Sequence, residues 1–97
     1  MAQQSTEVKR AIQYADRAKD AADRGNGILD KSIASKEVIT DSARQSANNQ
    51  LEKGVEDLQK AKDFLAKAEA GDSGRADAEK AIAAAEEAVD SLKKRLN

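Results

Sequence analysis

Ala21-Ala22-Asp23-Arg24-Gly25-Asn26-Gly27-Ile28-Leu29-Asp30 is the stretch whose reading sets the helix count. An Asn-Gly pair between alternating strands would mark a β-hairpin, but the residues on either side follow a helical period. The stretch therefore reads as the end of one helix, capped by Gly25, and the start of another, capped by Asn26. Two more breaks have the same character. Asn48-Asn49 is one, with Glu52 three residues after Asn49 as a start signal; Gly71-Asp72-Ser73-Gly74 is the other, with Asp72 or Ser73 as the cap. These breaks predict helices over about 6–24, 28–47, 50–70 and 75–96, within a single domain spanning 1–97.

Working outward, each segment carries a one-sided apolar stripe. Leu51, Val55, Leu58, Ala61 or Lys62, and Leu65 step 4-3-4-3, and Ala78, Ile82, Ala85, Val89, Leu92 and Leu96 do the same. The first stripe is weaker (Val8, Ala11, Ile12, Ala15, Ala18, Ala22), and in the second Leu29, Ile33, Ile39, Ala43 and Ala47 are interrupted by Ser32 and Lys36. At an offset of 43 residues Arg17-Ala18-Lys19-Asp20 falls on Lys60-Ala61-Lys62-Asp63. At an offset of 49, Asp30-Lys31-Ser32-Ile33-Ala34 falls on Glu79-Lys80-Ala81-Ile82-Ala83. Repetition with short connections predicts an all-α fold, an up-down-up-down antiparallel four-helix bundle built from a duplicated helical hairpin.

Composition fits thin-cored helices. Of 97 residues 39% are hydrophobic, but twenty are alanine, and Leu, Ile, Val and Phe together number sixteen. Charged residues make up 36%, nearly balanced at a net −1, and there is no proline. Absence of His and Cys removes zinc fingers, thiolate nucleophiles, disulfides, iron–sulfur clusters and imidazole acid–base chemistry. No apolar run approaches the ~20 residues of a membrane span. A cysteine-free chain suits cytosol and periplasm alike, and the small polar opening Ala2-Gln3-Gln4-Ser5 is of the kind left by signal cleavage.

The remaining constellations are few. Carboxylates recur at helical spacing (Asp16, Asp20 and Asp23; Glu86, Glu87 and Asp90; Asp72 with Asp77), and hard divalent cations take oxygen ligands. These acids interleave with Arg17, Lys19, Arg24 and Lys80, so an ion-paired solvated face accounts for them, and any cation site is weak. Ser32 with Lys36, one turn on, is the remaining nucleophile–base pairing, and alanine seams leave little room for a pocket around it. Lys93-Lys94-Arg95 sits where cations offset a helix macrodipole. With level charge and two aromatics, nucleic-acid binding is not expected. Gly54 in a helix interior costs about 1 kcal/mol and points to close packing. Tyr14 and Phe64 are the most specific side chains. Both lie on one flank of their helices, beside the apolar stripe, where they either cover a seam or form an apolar patch for a partner.

Paired alanine-rich segments such as Val8-Lys9-Arg10-Ala11-Ile12-Gln13-Tyr14-Ala15 and Glu79-Lys80-Ala81-Ile82-Ala83-Ala84-Ala85-Glu86-Glu87-Ala88 resemble the small metal-binding protein family of nitrifying bacteria. The resemblance runs over about residues 7–96 and implies a periplasmic up-down four-helix bundle. That family repeats histidine where this chain has Glu7, Tyr14 and Ala21, so no ligand carries over. The resulting expectation is a non-enzymatic binding or interaction module, monomeric or homodimeric, periplasmic or else cytoplasmic. It has no cofactor, no catalytic or metal-ligating residues, at most weak divalent-cation binding through surface carboxylates, and Tyr14 and Phe64 as partner-binding residues. The alternative is a stress-protectant or partner-binding chain only marginally folded alone.

Overall fold

A computed structural model describes residues 5–97, so the opening Ala2-Gln3-Gln4 lies outside the described residues. Three helices follow one another: α1 (Thr6–Lys36), α2 (Asp41–Lys67) and α3 (Arg75–Leu96). They run up, down and up in a rod of 54 × 17 × 17 Å. The fourth expected helix, 75–96, matches α3, but the first three expected helices are in fact two. A four-helix bundle from a duplicated hairpin is therefore corrected to a three-helix bundle among the described residues.

The physical reason lies in the period of the buried positions. On α1 the buried residues Val8, Ala11, Ala15, Ala18, Ala22, Gly25, Leu29 and Ser32 alternate steps of three and four without a break. A stripe that passes through Gly25 in register belongs to one continuous helix. Likewise Ala47, Leu51, Gly54, Leu58, Ala61 and Leu65 keep the alternation across Asn48 and Asn49, both of which are exposed. α3 continues it with Ala78, Ile82, Ala85, Val89 and Leu92. This is the heptad spacing of helices that pack in a left-handed supercoil. At the 49-residue offset exposed Ile33 of α1 falls on buried Ile82 of α3, and buried Ser32 falls on half-buried Ala81, so the two matched segments do not bury the same positions.

Gly25 and Gly54 are packing residues. A Cβ at Gly25 would lie 3.1 Å from Leu92 Cδ1 and closer still to Cδ2, and Leu92 is fully buried. One at Gly54 would meet the Ala18 carbonyl oxygen and Val89 Cγ2, each at 3.3 Å. Nine of the fifteen buried apolar residues in the described chain are alanine, which lets all three backbones approach closely.

The true α1–α2 turn contains neither glycine nor proline. Glu37 ends α1 in the left-handed conformation (φ 65°), its N–H donating to the Ile33 carbonyl at 2.8 Å. Ser32 Oγ, buried, fixes the turn from beneath: it donates to the Val38 carbonyl at 2.8 Å and accepts the Thr40 N–H at 3.0 Å. Thr40 then caps α2 by accepting the Ala43 N–H. At the α2–α3 turn, Arg75 donates to the carbonyls of Leu65 and Ala68, both at 3.0 Å. Asp72 accepts the Ser5 N–H at 3.0 Å and the Gly74 N–H at 2.9 Å, tying the start of α1 to this turn. At the far end of α3, Arg44 donates to the Leu96 carbonyl, and Arg95 reaches the Asn26 Oδ1 and Asp30 carboxylate, both at 2.8 Å.

Two outcomes test this architecture. Gly27 has nothing within 4 Å of an added Cβ, so Gly27→Ala should raise stability in urea denaturation by about 1 kcal/mol through helix propensity. Gly25→Ala makes the same propensity gain but overpacks Leu92, at a typical cost of about 1–3 kcal/mol, and should come out neutral to destabilised. A turn at 25–27 would give destabilisation at Gly27 instead. The second outcome concerns pH. Hydrogen bonds from the Ser5 side chain first, then from the Gly74 amide, hold the Asp72 carboxyl below the usual carboxylate range. A depressed folded value contributes stability above the unfolded value of about 3.9 and loses it as pH falls toward the folded one. The difference in melting temperature between the parent and Asp72→Asn should therefore be full near neutrality and close in acid.

Candidate functional site

The two aromatics expected on one flank meet across the α1–α2 seam. Tyr14 on α1 and Phe64 on α2 stack with ring centroids 5.6 Å apart and planes within 7° of parallel. Both are half-buried, and each packs on its inner side against the core. The seam-covering and partner-patch readings thus describe the same surface. The rings close the seam, and their outer edges remain accessible.

Cations lie over both rings. Arg17 stands 5.2 Å and Lys60 5.5 Å from the Tyr14 centroid, while Lys67 stands 5.5 Å and Arg10 6.0 Å from that of Phe64. One α1 cation and one α2 cation therefore attend each ring. One heptad further along, Arg17, Arg24 and Lys53 surround a groove of about 360 Å³ with Ala21 and Asp57. The sequence reading missed this arrangement, although its signal is present: Arg10, Arg17, Arg24 and Lys31 recur every seven residues on α1, as do Lys53, Lys60 and Lys67 on α2. Seven residues bring a side chain back to nearly the same face of a helix. All seven are exposed, and Lys60, bonded to Glu56 at 3.4 Å, is the member with an ion pair among the described residues.

The carboxylates are dispersed. No three metal-ligating side chains converge among the described residues. Asp23 pairs with Lys19 at 3.3 Å, Glu86 with Lys62 at 3.4 Å, and Asp72 serves the turn described above. Glu86, Glu87 and Asp90 line an open groove on α3 with Lys94 beside them. Ser32 and Lys36 do not form a nucleophile–base pair. The Ser32 hydroxyl both donates to and accepts from the turn backbone, no hydrogen bond joins it to Lys36, and Lys36 is exposed. Of the terminal basic run, Lys93, Lys94 and Arg95 occupy the last turn of α3, where Arg95 also fastens α3 to α1. No helix of the described chain is long and apolar enough to cross a membrane.

No protein-family model matches the chain, and neither does any curated protein or solved structure.

Tyr14 is the sole tyrosine and there is no tryptophan, so the tyrosine band of the near-ultraviolet circular dichroism reports its packing. Phe64→Leu keeps an apolar side chain in the seam but removes the stacked ring. It should reduce the tyrosine band strongly, leave the far-ultraviolet helix signal in place, and cost about 0.5–1.5 kcal/mol of stability.

Proposed function

We propose that this protein is a non-enzymatic interaction module that holds a macromolecular partner on the α1–α2 face, with Tyr14 and Phe64 at its centre. One observation carries the reading. A half-buried aromatic pair, attended by Arg10, Arg17, Lys60 and Lys67, sits on a surface whose walls come from α1 and α2 alone. Rigid aromatics flanked by arginines are the side chains that interfaces concentrate at their energetic centres. Exposed cations at fixed spacing on a rigid rod, of which Lys60 alone holds an ion pair among the described residues, cost little to reorganise when an anionic surface arrives.

The competing reading, a protectant chain only marginally ordered alone, draws on the thin alanine core. Against it stand side-chain caps at Ser5 and Thr40, the Ser32-braced turn and long-range ties at both ends of the rod. Such specific local structure favours one folded state.

Site-directed photo-cross-linking tests the proposal. A benzophenone side chain replacing Asp57, which lines the groove, should give a discrete adduct in extract from the native source, and the Arg17→Gln/Lys60→Gln background should abolish it. The same group replacing Ala84, exposed on α3, should give none. Equal adducts from both positions, or none from position 57, would overturn the reading.

A further inference from the structure

The cations of the α1–α2 face form a ladder whose geometry constrains what it can recognise. Its rungs pair Arg10 with Lys67 about Phe64, Arg17 with Lys60 about Tyr14, and Arg24 with Lys53 about Ala21 and Asp57. Lys31 extends the α1 rail by one more heptad. Successive rungs are about 10.5 Å apart, and the α1 rail spans roughly 31 Å, at 1.5 Å of rise per residue. Seven of the chain's 17 cations stand on this face, and Asp57 is the carboxylate in its groove, with Glu56 on the rim bonded to Lys60. The near-neutral total thus conceals two facing rows of cations at a seven-residue spacing.

Resting on the interaction-module reading, we propose that the occupant is an acidic α-helix of a protein partner. It would lie along the groove between α1 and α2 as a fourth strand of the coil, with Asp or Glu at both positions flanking its apolar seam in successive heptads. Three observations select it. First, the period: a helix that supercoils with α1 and α2 repeats every seven residues, so its flanking carboxylates stay opposite both rails along the whole ladder. Duplex DNA presents phosphate rows that wind about its axis with a turn of about 34 Å, so they would leave a straight ladder within part of a turn. Second, the rings: each faces the other and already carries two cations, so neither offers a free face on which an unpaired base could stack. Third, the shape: the groove at the Arg24–Lys53 rung runs between α1 and α2 with Ala21 in its lining, and the half-buried rings of Tyr14 and Phe64 continue the same seam, a narrow bed of the kind that receives a helix face. Arg10, Arg17 and Arg24 supply the planar fork that pairs with carboxylates in bidentate fashion.

The test uses the full chain and three fluorescent probes followed by anisotropy. These are a helical peptide of about four heptads with glutamate at both flanking positions, a peptide of identical composition with those glutamates moved to its outer face, and a duplex DNA of the same length. The patterned peptide should bind, with affinity falling as salt rises from about 50 to 200 mM. Arg17→Gln/Arg24→Gln should weaken it about tenfold, and Lys80→Gln/Lys94→Gln, an equal change of charge on α3, should leave it unchanged. The permuted peptide should bind at least about tenfold more weakly than the patterned one. Equal binding of both peptides, tighter binding of DNA, or no binding of the patterned peptide at low salt would each overturn the proposal. A cross-link at position 57 without peptide binding would retain the interaction module and reject its acidic-helix partner. Loss of both would reject the module itself.

Discussion

How closely three helical backbones can approach governs the rest of this molecule. Gly25 lies beneath Leu92, and Gly54 lies against the Ala18 carbonyl and Val89; the positions between them are mostly alanine. Close approach fills space that larger side chains would otherwise occupy, but each alanine removes little apolar area from water, about one methyl's worth against four carbons for a leucine. A rod built this way draws more of its stability from helix propensity and less from its core. It also leaves more for its ends to do. That is where the long-range hydrogen bonds cluster, with Asp72 to Ser5 and Arg75 to the α2 carbonyls at one end and Arg44 to Leu96 and Arg95 to Asn26 and Asp30 at the other, while the exposed Lys62–Glu86 pair joins α2 to the middle of α3.

The same constraint explains which parts of the fold are legible in the sequence. α3 is readable because its seam alternates three and four residues and ends in Val89, Leu92 and Leu96, while Gly71 and Gly74 bracket a real turn. Gly25-Asn26-Gly27 misleads because glycine reports two physical needs with one letter, a backbone that must turn and a backbone that must be approached. The spacing of Ala22, Gly25, Leu29 and Ser32 separates the two, since a turn would reset the register and this one does not. Conversely, the actual turn at residues 37–40 is silent to a search for glycine or proline. It is held by a left-handed Glu37 and by Ser32, whose hydroxyl bonds reach six and eight residues ahead and become visible only once the chain has folded back.

Much the same division holds for the candidate site. The flank occupied by Tyr14 and Phe64 follows from helical geometry, but their mutual stacking depends on the α1–α2 register, which depends in turn on where the turn falls. With four helices expected, the two residues have no reason to be opposite one another. The cation rails are hidden in the sequence for a different reason. A net charge of −1 is a sum, and a sum discards position. Only when α1 and α2 are each continuous do Arg10, Arg17, Arg24 and Lys31 share one edge, and Lys53, Lys60 and Lys67 the edge facing it.

Spacing, more than total charge, sets what such a surface can distinguish. At physiological ionic strength the screening length is about 8 Å, shorter than the roughly 10.5 Å between rungs of the ladder. Each rung therefore acts nearly alone on the charge directly above it, and a distant excess of anions adds little. A ligand whose charges keep the seven-residue period gains at every rung; one with equal charge out of step gains at one rung and forfeits the next. The heptad that packs the core thus also fixes the spacing of the charges outside it. One periodicity, laid down by alanine and glycine in the seam, sets both how the helices associate and the repeat that an anionic partner must share to be held.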